Sequence, residues 1–339
     1  MDPILVVSFP AIGDFIRSHS AVRIIARQFP DRPIDVVTSS IAAPLAEMMP
    51  NVRKAWVLDK KPILKSLADR YRLARQLREQ KYGTAYLLTS ATKASLAPWM
   101  AGIPERVGYP REFQFGLVNR FPADWWQQLL SLGKERLRLY DQVCDIATLA
   151  KETPPVEGWP APKLVILPEQ MEDWRGRCGL DLTRPSLALY PSAPDDRRAW
   201  PIDRFISVAK DYSRRGWSIW IIGAKREREA TDQIRAAVPE AINYHSTLTD
   251  AMCQIAASTM FVGVDGGPAH AAGALGVPCV LIFRSNCSYE GGPVNHDVRL
   301  VEPPISTPGR IGGALGVSVD QVLDTMMRLY VDRYRSQSG

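Results

Sequence analysis

Two turns in this sequence stand between an apolar strand run and a helix, and both hold side chains suited to chemistry. Residues 9–14 end on Asp14, whose carboxylate suits a general base for a substrate hydroxyl group. Capping of the following helix is the alternative role of Asp14. The second turn is Asp265-Gly266-Gly267. Because the amino end of a helix attracts anions, this turn predicts a phosphate site that His270 faces, with an ordinary strand-to-helix turn as the alternative.

Further candidates for a nucleotide site lie in the second half of the chain. Ser192 and Arg198 delimit a polar loop after a predicted strand, and a cation at a strand end suits a diphosphate. Trp200, two residues later, is predicted to pack in the core rather than to stack on a base. Glu227 suits hydrogen bonds to a ribose, and the alternative is an ordinary acid in the first turn of a helix.

Strand and helix patterns alternate in both halves of the chain. The first half predicts strands at 4–7, 34–38, 55–58 and 84–88 and helices at 15–28, 42–49, 66–80 and 131–150, with residues 105–126 irregular. The second half predicts strands at 186–190, 218–222, 260–264 and 279–283 and helices at 202–214, 228–237, 250–258, 269–275 and 317–334. Apolar strands of this kind are typical of parallel sheets. The predicted class is α/β with two Rossmann-like, doubly wound domains, whose sites lie at the carboxyl ends of strands.

A proline-rich stretch separates the two halves. Residues 153–162 contain four prolines, which cannot form a helix or a central strand. We therefore predict a first domain at 1–153, a linker at 154–168, a second domain at 169–316 and a terminal helix at 317–339.

The composition of the 339 residues is that of a soluble globular protein, with 46% hydrophobic and 23% charged residues. Its apolar runs are far shorter than the roughly 20 residues that span a bilayer, and the start lacks the pattern of a signal peptide. The prediction is a cytoplasmic protein. The five cysteines lack metal-ligand spacing, so we expect reduced thiols and no metal site.

Positive charge is concentrated in the first half. Residues 1–150 contain 21 Lys and Arg against 14 Asp and Glu, and the window 53–81 has ten basic residues against three acidic ones. Such an excess favours an anionic partner, with a solvated helix face as the alternative. Lys60, Lys61 and Lys65 lie between a predicted strand and helix, near the strand end that holds Asp14. The window lacks interleaved aromatic residues, so nucleic acid is not expected as a partner.

Several motifs along most of the chain resemble those of the heptosyltransferases of glycosyltransferase family 9. They are FPAIGD at 9–14, SHSAVR at 18–23, TKAS at 92–95, AGIPERVGY at 101–109, RAWP at 198–201 and DGGPAH at 265–270. The resemblance implies a GT-B architecture, in which two Rossmann-like domains face each other across a cleft. The first would then be the acceptor-binding domain and the second the nucleotide-sugar-binding domain. It also implies inverting transfer of a heptose from ADP-heptose to the phosphorylated lipid A–core glycan of lipopolysaccharide, at the inner face of the cytoplasmic membrane.

The implied roles fall on particular residues. Asp14 matches the catalytic base, while backbone N–H groups at 266–268, His270 and Arg198 stabilise the departing ADP without a metal or a redox cofactor. The predicted donor-binding residues are Gly13, Ser192, Arg198, Glu227, Asp265, Gly266, Gly267 and His270. The predicted acceptor-binding residues are Lys60, Lys61, Lys65, Lys93 and Arg106.

The sequence departs from the family pattern at two of these positions. Arginine stands at 198 where lysine is usual, and Gly266 stands where threonine or serine is usual, which removes one hydroxyl contact to phosphate. Two alternatives to transfer are a nucleotide-sugar epimerase or hydrolase of the same fold and a non-catalytic nucleotide-sugar-binding protein.

Overall fold

The computed structural model describes residues 1–59, 63–89, 91–110, 114–130, 138–192, 199–243, 247–283, 292–303 and 316–337. The chain divides into two compact units, Met1–Val165 and Ile166–Gly339. Each unit contains a five-stranded parallel sheet with helices in the connections between its strands. This is the α/β class that the alternating pattern predicts. Within the described ranges, no helix combines the length and the apolar character needed to cross a membrane.

The first unit is built on a sheet of order β3-β2-β1-β4-β5. Its elements are β1 Ile4–Val7, α1 Ile12–Gln28, β2 Ile34–Thr38, a 3₁₀ helix Ala43–Met48, β3 Lys54–Val57, α2 Ile63–Glu79, β4 Thr84–Leu87, α3 Thr92–Met100, β5 Glu105–Gly108, α4 Trp125–Leu130 and α5 Leu139–Thr148. The central strand β1 is buried along its whole length, as its continuous apolar run predicts. Val7 at its end is level with Val37 of β2 and Leu87 of β4, so the segments after these strands begin at one edge of the sheet.

The second unit repeats this plan with the sheet order β10-β9-β8-β6-β7. Its elements are α6 Pro168–Cys178, β6 Ser186–Tyr190, α7 Ile202–Arg214, β7 Ser218–Ile221, a 3₁₀ helix Lys225–Glu227, α8 Arg228–Ala237, α9 Leu248–Ala257, β8 Met260–Val264, α10 Gly267–Ala274, β9 Cys279–Ile282, β10 Val298–Val301 and α11 Val319–Gln337. The strands β8, β6 and β7 are neighbours, and their carboxyl ends lie at one edge. Of the predicted donor residues, Ser192, Glu227 and the segment 265–270 follow strands that end at that edge.

Among the described residues, the helix predicted at 131–150 is present only as α5 Leu139–Thr148. Two further local predictions need correction. The sequence 105–126 was expected to be irregular, but it contains the edge strand β5, and the helix α4 begins at its end, at Trp125. Glu105 and Arg106 begin β5, so the strand lacks the apolar pattern by which a strand is recognised, and only its pairing with β4 defines it. The first helix begins at Ile12 rather than at residue 15, which places Gly13 and Asp14 inside its first turn.

The predicted linker 154–168 spans the division between the units, and part of it packs on the first one. Arg23 Nη1 donates a hydrogen bond to the carbonyl oxygen of Ala161 at 2.5 Å, and Tyr140 Oη donates one to that of Trp159 at 2.5 Å. The backbone N–H of Val165 donates to Met48. Residues 159–165 are therefore held as part of the first unit.

His19 of α1 anchors the same segment. Its Nδ1 accepts a hydrogen bond from the backbone N–H of Lys163 at 3.0 Å, so its Nε2 carries the hydrogen that is donated to the carbonyl oxygen of Pro50 at 2.8 Å. Burial lowers the pKa of His19 from 6.5 to about 4, outweighing the Pro50 bond, which raises it. Protonation of Nδ1 would break the bond from Lys163, so the folded chain keeps this imidazole neutral.

This arrangement predicts a pH-dependent stability. The folded-state pKa lies below the unfolded value, so the unfolded chain takes up a proton as the pH falls from 6.5 towards 4. The free energy of unfolding should fall by about 3 kcal/mol over this window because of His19. Urea denaturation from pH 7.5 to 4 should show a shallower pH slope for His19→Gln. His296→Gln, which alters an exposed histidine, serves as the control and should keep the original slope. An unchanged slope in His19→Gln would contradict the assignment.

Candidate active site

The turn before Asp14 is held by hydroxyl groups from the neighbouring strand. Thr38 Oγ1 donates to the carbonyl oxygen of Phe9 at 2.7 Å, and Ser39 Oγ donates to that of Pro10 at 2.6 Å. These bonds bring the turn to the end of β2 and set the start of α1. The first turn of α1 therefore lies just beyond the carboxyl ends of β1 and β2, where sheets of this kind bind ligands.

Asp14 is the third residue of α1 and pairs with Arg17 one turn later. The amino end of the helix and the arginine both favour a negative charge on this carboxylate. Its side chain is 36% exposed, so solvent reaches it. The position before the helix is Ala11, so Asp14 is not the N-cap residue. Its role as the base stays a prediction, with a geometry that suits it.

Lys93 lies near the end of a neighbouring strand. The strand β4 pairs with β1, and the helix α3 that follows it begins at Thr92. Lys93 is exposed in the first turn of α3, while its carbonyl oxygen accepts a hydrogen bond from Arg70 Nε at 2.6 Å. Asp14 and Lys93 thus follow the carboxyl ends of adjacent strands in the same unit. Lys60 and Lys61 lie outside the described residues, and Lys65 is in α2 with its side chain outside them.

Arg106 is engaged by the backbone of its own unit. Its Nε donates to the carbonyl oxygen of Leu117 and its Nη1 to that of Ile103, both at 2.6 Å. Its Nη2 donates to Gly116 at 3.2 Å. Burial lowers the pKa of this guanidinium. These bonds tie the segments before and after β5 together, and acceptor binding by Arg106 stays a prediction.

Asp265 lies between β8 and α10, and His270 lies in the first turn of α10. The N-cap of α10 is Gly266, and Pro268 is its second residue, where a missing N–H is tolerated. His270 is 4% exposed, and its Nε2 lies 3.5 Å from Asp265 Oδ1, while Asp265 is half-buried. His270 is therefore in the first turn, as the spacing predicts, but it is directed at Asp265 and is largely covered.

The neighbouring strands β6 and β7 bring two more predicted residues to the same edge. Ser192, two residues after β6, is buried in the left-handed region with a φ of 64°, which is uncommon for a residue other than glycine. Such backbone strain is frequent where chains bind ligands. Glu227 ends the 3₁₀ helix after β7, and its Oε2 accepts a hydrogen bond from the N–H of Ala224 at 2.9 Å.

The loop that ends on Arg198 is anchored just after that residue. Residues 193–198, and Arg198 with them, lie outside the described residues. Trp200 is buried, and its Nε1 donates to the carbonyl oxygen of Val317 at 2.9 Å, which agrees with its predicted place in the core. Arg204 Nη1 donates to the same oxygen.

Sequence reasoning missed two residues next to these sites. Arg17 pairs with the proposed base, and its spacing of three residues on a helix was a signal that could have found it. Tyr190, the last residue of β6, packs against Gly266, and no local signal in the sequence marks it. Over the described part of the chain, no group of three or more His, Cys, Asp and Glu side chains could hold a metal ion.

The fold and the donor-side loops define a class, the two-unit nucleotide-sugar transferases of GT-B type. The profile of glycosyltransferase family 9 (heptosyltransferase) matches residues 70–307, and the chain belongs to this family. It is similar to lipopolysaccharide heptosyltransferase 2 of Escherichia coli strain K12, with 27% identity over 309 residues that cover 88% of this chain and 87% of the relative.

Solved structures agree with this assignment. The structure of E. coli ADP-heptose lps heptosyltransferase II matches with a TM-score of 0.83 and 25% identity, covering 98% of this chain and 99% of the other. E. coli heptosyltransferase WaaC with ADP shares the fold, with a TM-score of 0.74 and 14% identity over 96% of this chain and 99% of that one. The GT-B fold and the glycosyltransferase class predicted from the motifs are confirmed.

Proposed function

We propose that this chain transfers a heptose from ADP-heptose to the inner core of lipopolysaccharide, with inversion at the anomeric carbon. The observation that supports this most is the convergence of Ser192, Glu227 and the Asp265–His270 turn on three adjacent strand ends of the second unit. A Rossmann-like sheet binds a nucleotide at this edge. The relatives named above are heptosyltransferases, so the epimerase and the non-catalytic binder are not favoured.

On the donor side, the diphosphate lies at the amino end of α10. The backbone N–H groups of Gly266 and Gly267, together with Arg198, stabilise the charge that develops on ADP as its bond to the sugar breaks. Pro268 has no N–H group to contribute. His270 and Asp265 hold the turn in shape, because the imidazole is buried against the carboxylate. Glu227 accepts hydrogen bonds from the ribose with the carboxylate edge that Ala224 does not use. Gly13 takes part only through its backbone.

On the acceptor side, Asp14 acts as the general base. A hydroxyl group of the phosphorylated core glycan attacks the anomeric carbon, its proton passes to Asp14, and the carbon–oxygen bond to ADP breaks. Lys93, exposed near the adjacent strand end, contacts a phosphate of the acceptor. Lys60, Lys61 and Lys65 extend this positive surface. No redox step occurs, and the fixed cations take the place of a metal.

One assay distinguishes the three functions considered for this fold: a glycosyltransferase, an epimerase or hydrolase, and a non-catalytic binding protein. The chain is incubated with ADP-heptose, with and without a heptose-deficient core glycolipid, and both ADP and the glycan product are measured. We expect ADP release that depends on the acceptor and one added heptose per acceptor. ADP release or sugar epimerisation without the acceptor would favour the hydrolase or epimerase, and binding without turnover would favour the non-catalytic protein.

We further propose that the chain works as a peripheral protein on the inner face of the cytoplasmic membrane. The exposed side of α2 supports this, because Leu67, Tyr71 and Arg75 recur at intervals of four residues and are all exposed. Apolar and basic side chains on one stripe suit an anionic lipid surface. Arg70 lies off this stripe, since it is buried and donates to the carbonyl oxygens of Ser66 and Lys93.

Replacement of Lys60, Lys61 and Lys65 by alanine tests this surface. We expect a higher acceptor KM and an unchanged donor KM, because each basic residue near an anionic surface contributes about 1 kcal/mol, which salt screens. Binding to phosphatidylglycerol vesicles should weaken at low salt, and the difference should vanish at high salt.

A charge-matched control for the triple variant changes Lys210, Arg214 and Arg235 to alanine on helices of the second unit, where the side chains are exposed. It should leave both KM values unchanged. A rise in donor KM for the lysine variant would assign the loop to the nucleotide site instead. If neither KM changes, these lysines are ordinary solvated residues without a role in acceptor binding.

A further inference from the structure

Tyr190 ends β6 beside the turn that precedes α10. It pairs in register with Gly263 of β8 and is 8% exposed. A Cβ atom on Gly263 would lie 2.9 Å from Tyr190 Cβ, closer than such atoms approach in real structures. Glycine at 263 therefore lets the tyrosine pack tightly over the end of β8.

Gly266 makes room for the ring of the same tyrosine. A Cβ atom at 266 would lie 2.9 Å from Tyr190 Cε1 and 3.2 Å from Tyr190 Oη. The backbone of Gly266 is extended, with a φ of 173° and a ψ of 177°, which any residue can adopt. Glycine is thus favoured at this position by the neighbouring ring and not by the backbone. Because Tyr190 is only 8% exposed, its ring would have to shift within a packed interior to admit a Cβ atom at 266.

The same contact brings a hydroxyl group to the amino end of α10. Gly266 is the N-cap of this helix, and Tyr190 Oη lies 3.2 Å from the point that a Cβ atom at 266 would occupy. A phenol can donate to a phosphate oxygen, and a hydrogen bond to a charged acceptor is stronger than a neutral one. A serine or threonine at 266 would bring its own hydroxyl to the same place, and the ring excludes it.

We propose that Tyr190 is a donor-binding residue: its ring replaces a side chain at 266, and its hydroxyl group donates a hydrogen bond to the diphosphate of the nucleotide. This assignment rests on the proposed function, because the diphosphate is placed at the amino end of α10. Tyr190 and Gly266 then form a matched pair, in which each residue is acceptable only with the other.

Tyr190→Phe removes the hydroxyl group and keeps the ring. We expect the Kd for ADP to rise by about 10-fold to 100-fold, as for a lost bond to a charged group, and the Kd for adenosine to stay unchanged. Tyr212→Phe, at another buried tyrosine of the second unit, is the matched control and should bind ADP like the unaltered chain. Unchanged ADP binding by Tyr190→Phe overturns the proposal, and so does a parallel loss of adenosine binding, which would indicate a distorted unit.

A second pair of variants tests the matched positions independently. Gly266→Ser alone should weaken ADP binding, because its Cβ meets the tyrosine ring. Tyr190→Ala alone should also weaken it, but Tyr190→Ala with Gly266→Ser should bind ADP more tightly than Tyr190→Ala, since the serine now has space and supplies a hydroxyl group. Losses that simply add overturn the proposal, because a purely structural tyrosine would give no rescue.

Inorganic pyrophosphate separates this assignment from the proposed function. If the unaltered chain binds pyrophosphate, and Tyr190→Phe weakens that binding, the tyrosine contacts a diphosphate even if no heptose is transferred. If heptose is transferred while Tyr190→Phe keeps its affinity for ADP and pyrophosphate, the proposed function stands and the role of Tyr190 falls. An unaltered chain that binds neither compound overturns both.

Discussion

Asp14→Asn is expected to lower heptose transfer by about 10²-fold or more, the usual scale for the loss of a general base. Asparagine keeps the size and polarity of the side chain but cannot accept the proton of the attacking hydroxyl group. Folding should be nearly intact, since Asp14 is one-third exposed and the lost interactions with Arg17 and the helix dipole contribute about 1 kcal/mol or less each. The measurement is kcat for transfer with saturating donor and acceptor, alongside the Kd for ADP, which should not change.

The chain offers a closely matched control for this substitution. Asp141 is the third residue of α5, as Asp14 is of α1, and it also pairs with an arginine three residues away, Arg138. Asp141→Asn therefore removes the same kind of ion pair from the same position of a helix. Transfer by Asp141→Asn should be close to that of the unaltered chain. A folded Asp14→Asn chain with near-normal turnover would remove this carboxylate from the mechanism.

Arg198→Ala should weaken the binding of ADP and of the donor together, by about 1.5–3 kcal/mol, or about 10-fold to 100-fold. The expectation rests on the chemistry of a guanidinium, which suits a diphosphate, and on the anchoring of residues on either side of the loop. Ser192 is buried before it, and Trp200 is bonded to Val317 after it. Isothermal calorimetry with ADP and with adenosine measures the effect, and only ADP should lose affinity.

Arg197→Ala is the control for Arg198→Ala, because it removes an equal charge from the adjacent position. A nonspecific effect of net charge would lower ADP affinity equally in both variants. If only Arg197→Ala weakens binding, the phosphate contact belongs to that neighbour. Unchanged affinity in both would place the diphosphate away from this loop. Arg198→Lys then tests whether binding needs the planar, forked shape of the guanidinium, since a lysine keeps the charge without that shape.

Much of the fold was determined by local sequence pattern. The continuous apolar runs of β1, β2, β6 and β8 predict buried parallel strands, and the structure has them within a residue or so of the predicted bounds. The helices α7 and α8 have the predicted ends. These elements can be predicted from their own residues. A strand that is buried on both faces is a continuous apolar run, and a helix that is buried on one face has an apolar stripe.

The candidate site residues also divide into those that the sequence predicts and those that only the structure reveals. Asp14, Ser192, Glu227 and the Asp265–His270 turn could be found from the sequence, because each directly follows a strand that the sequence predicts. Ser192, Glu227 and the Asp265–His270 segment follow strands that end at one edge of the second sheet, and Asp14 follows a strand of the first sheet. Both placements are consequences of parallel strand order, which the alternating pattern implies. Whether each side chain contacts the substrate stays a prediction for the assays above.

Only the tertiary structure decided three other features. The guanidinium of Arg106, a predicted acceptor contact, donates to three backbone carbonyl groups, that of Ile103 before it and those of Gly116 and Leu117 after it. The strand β5 is defined by its pairing with β4 and not by its own residues. Tyr190 and Gly266 lie 76 positions apart in the sequence and are in contact. Such features depend on which distant residues become neighbours, and no local pattern contains that information.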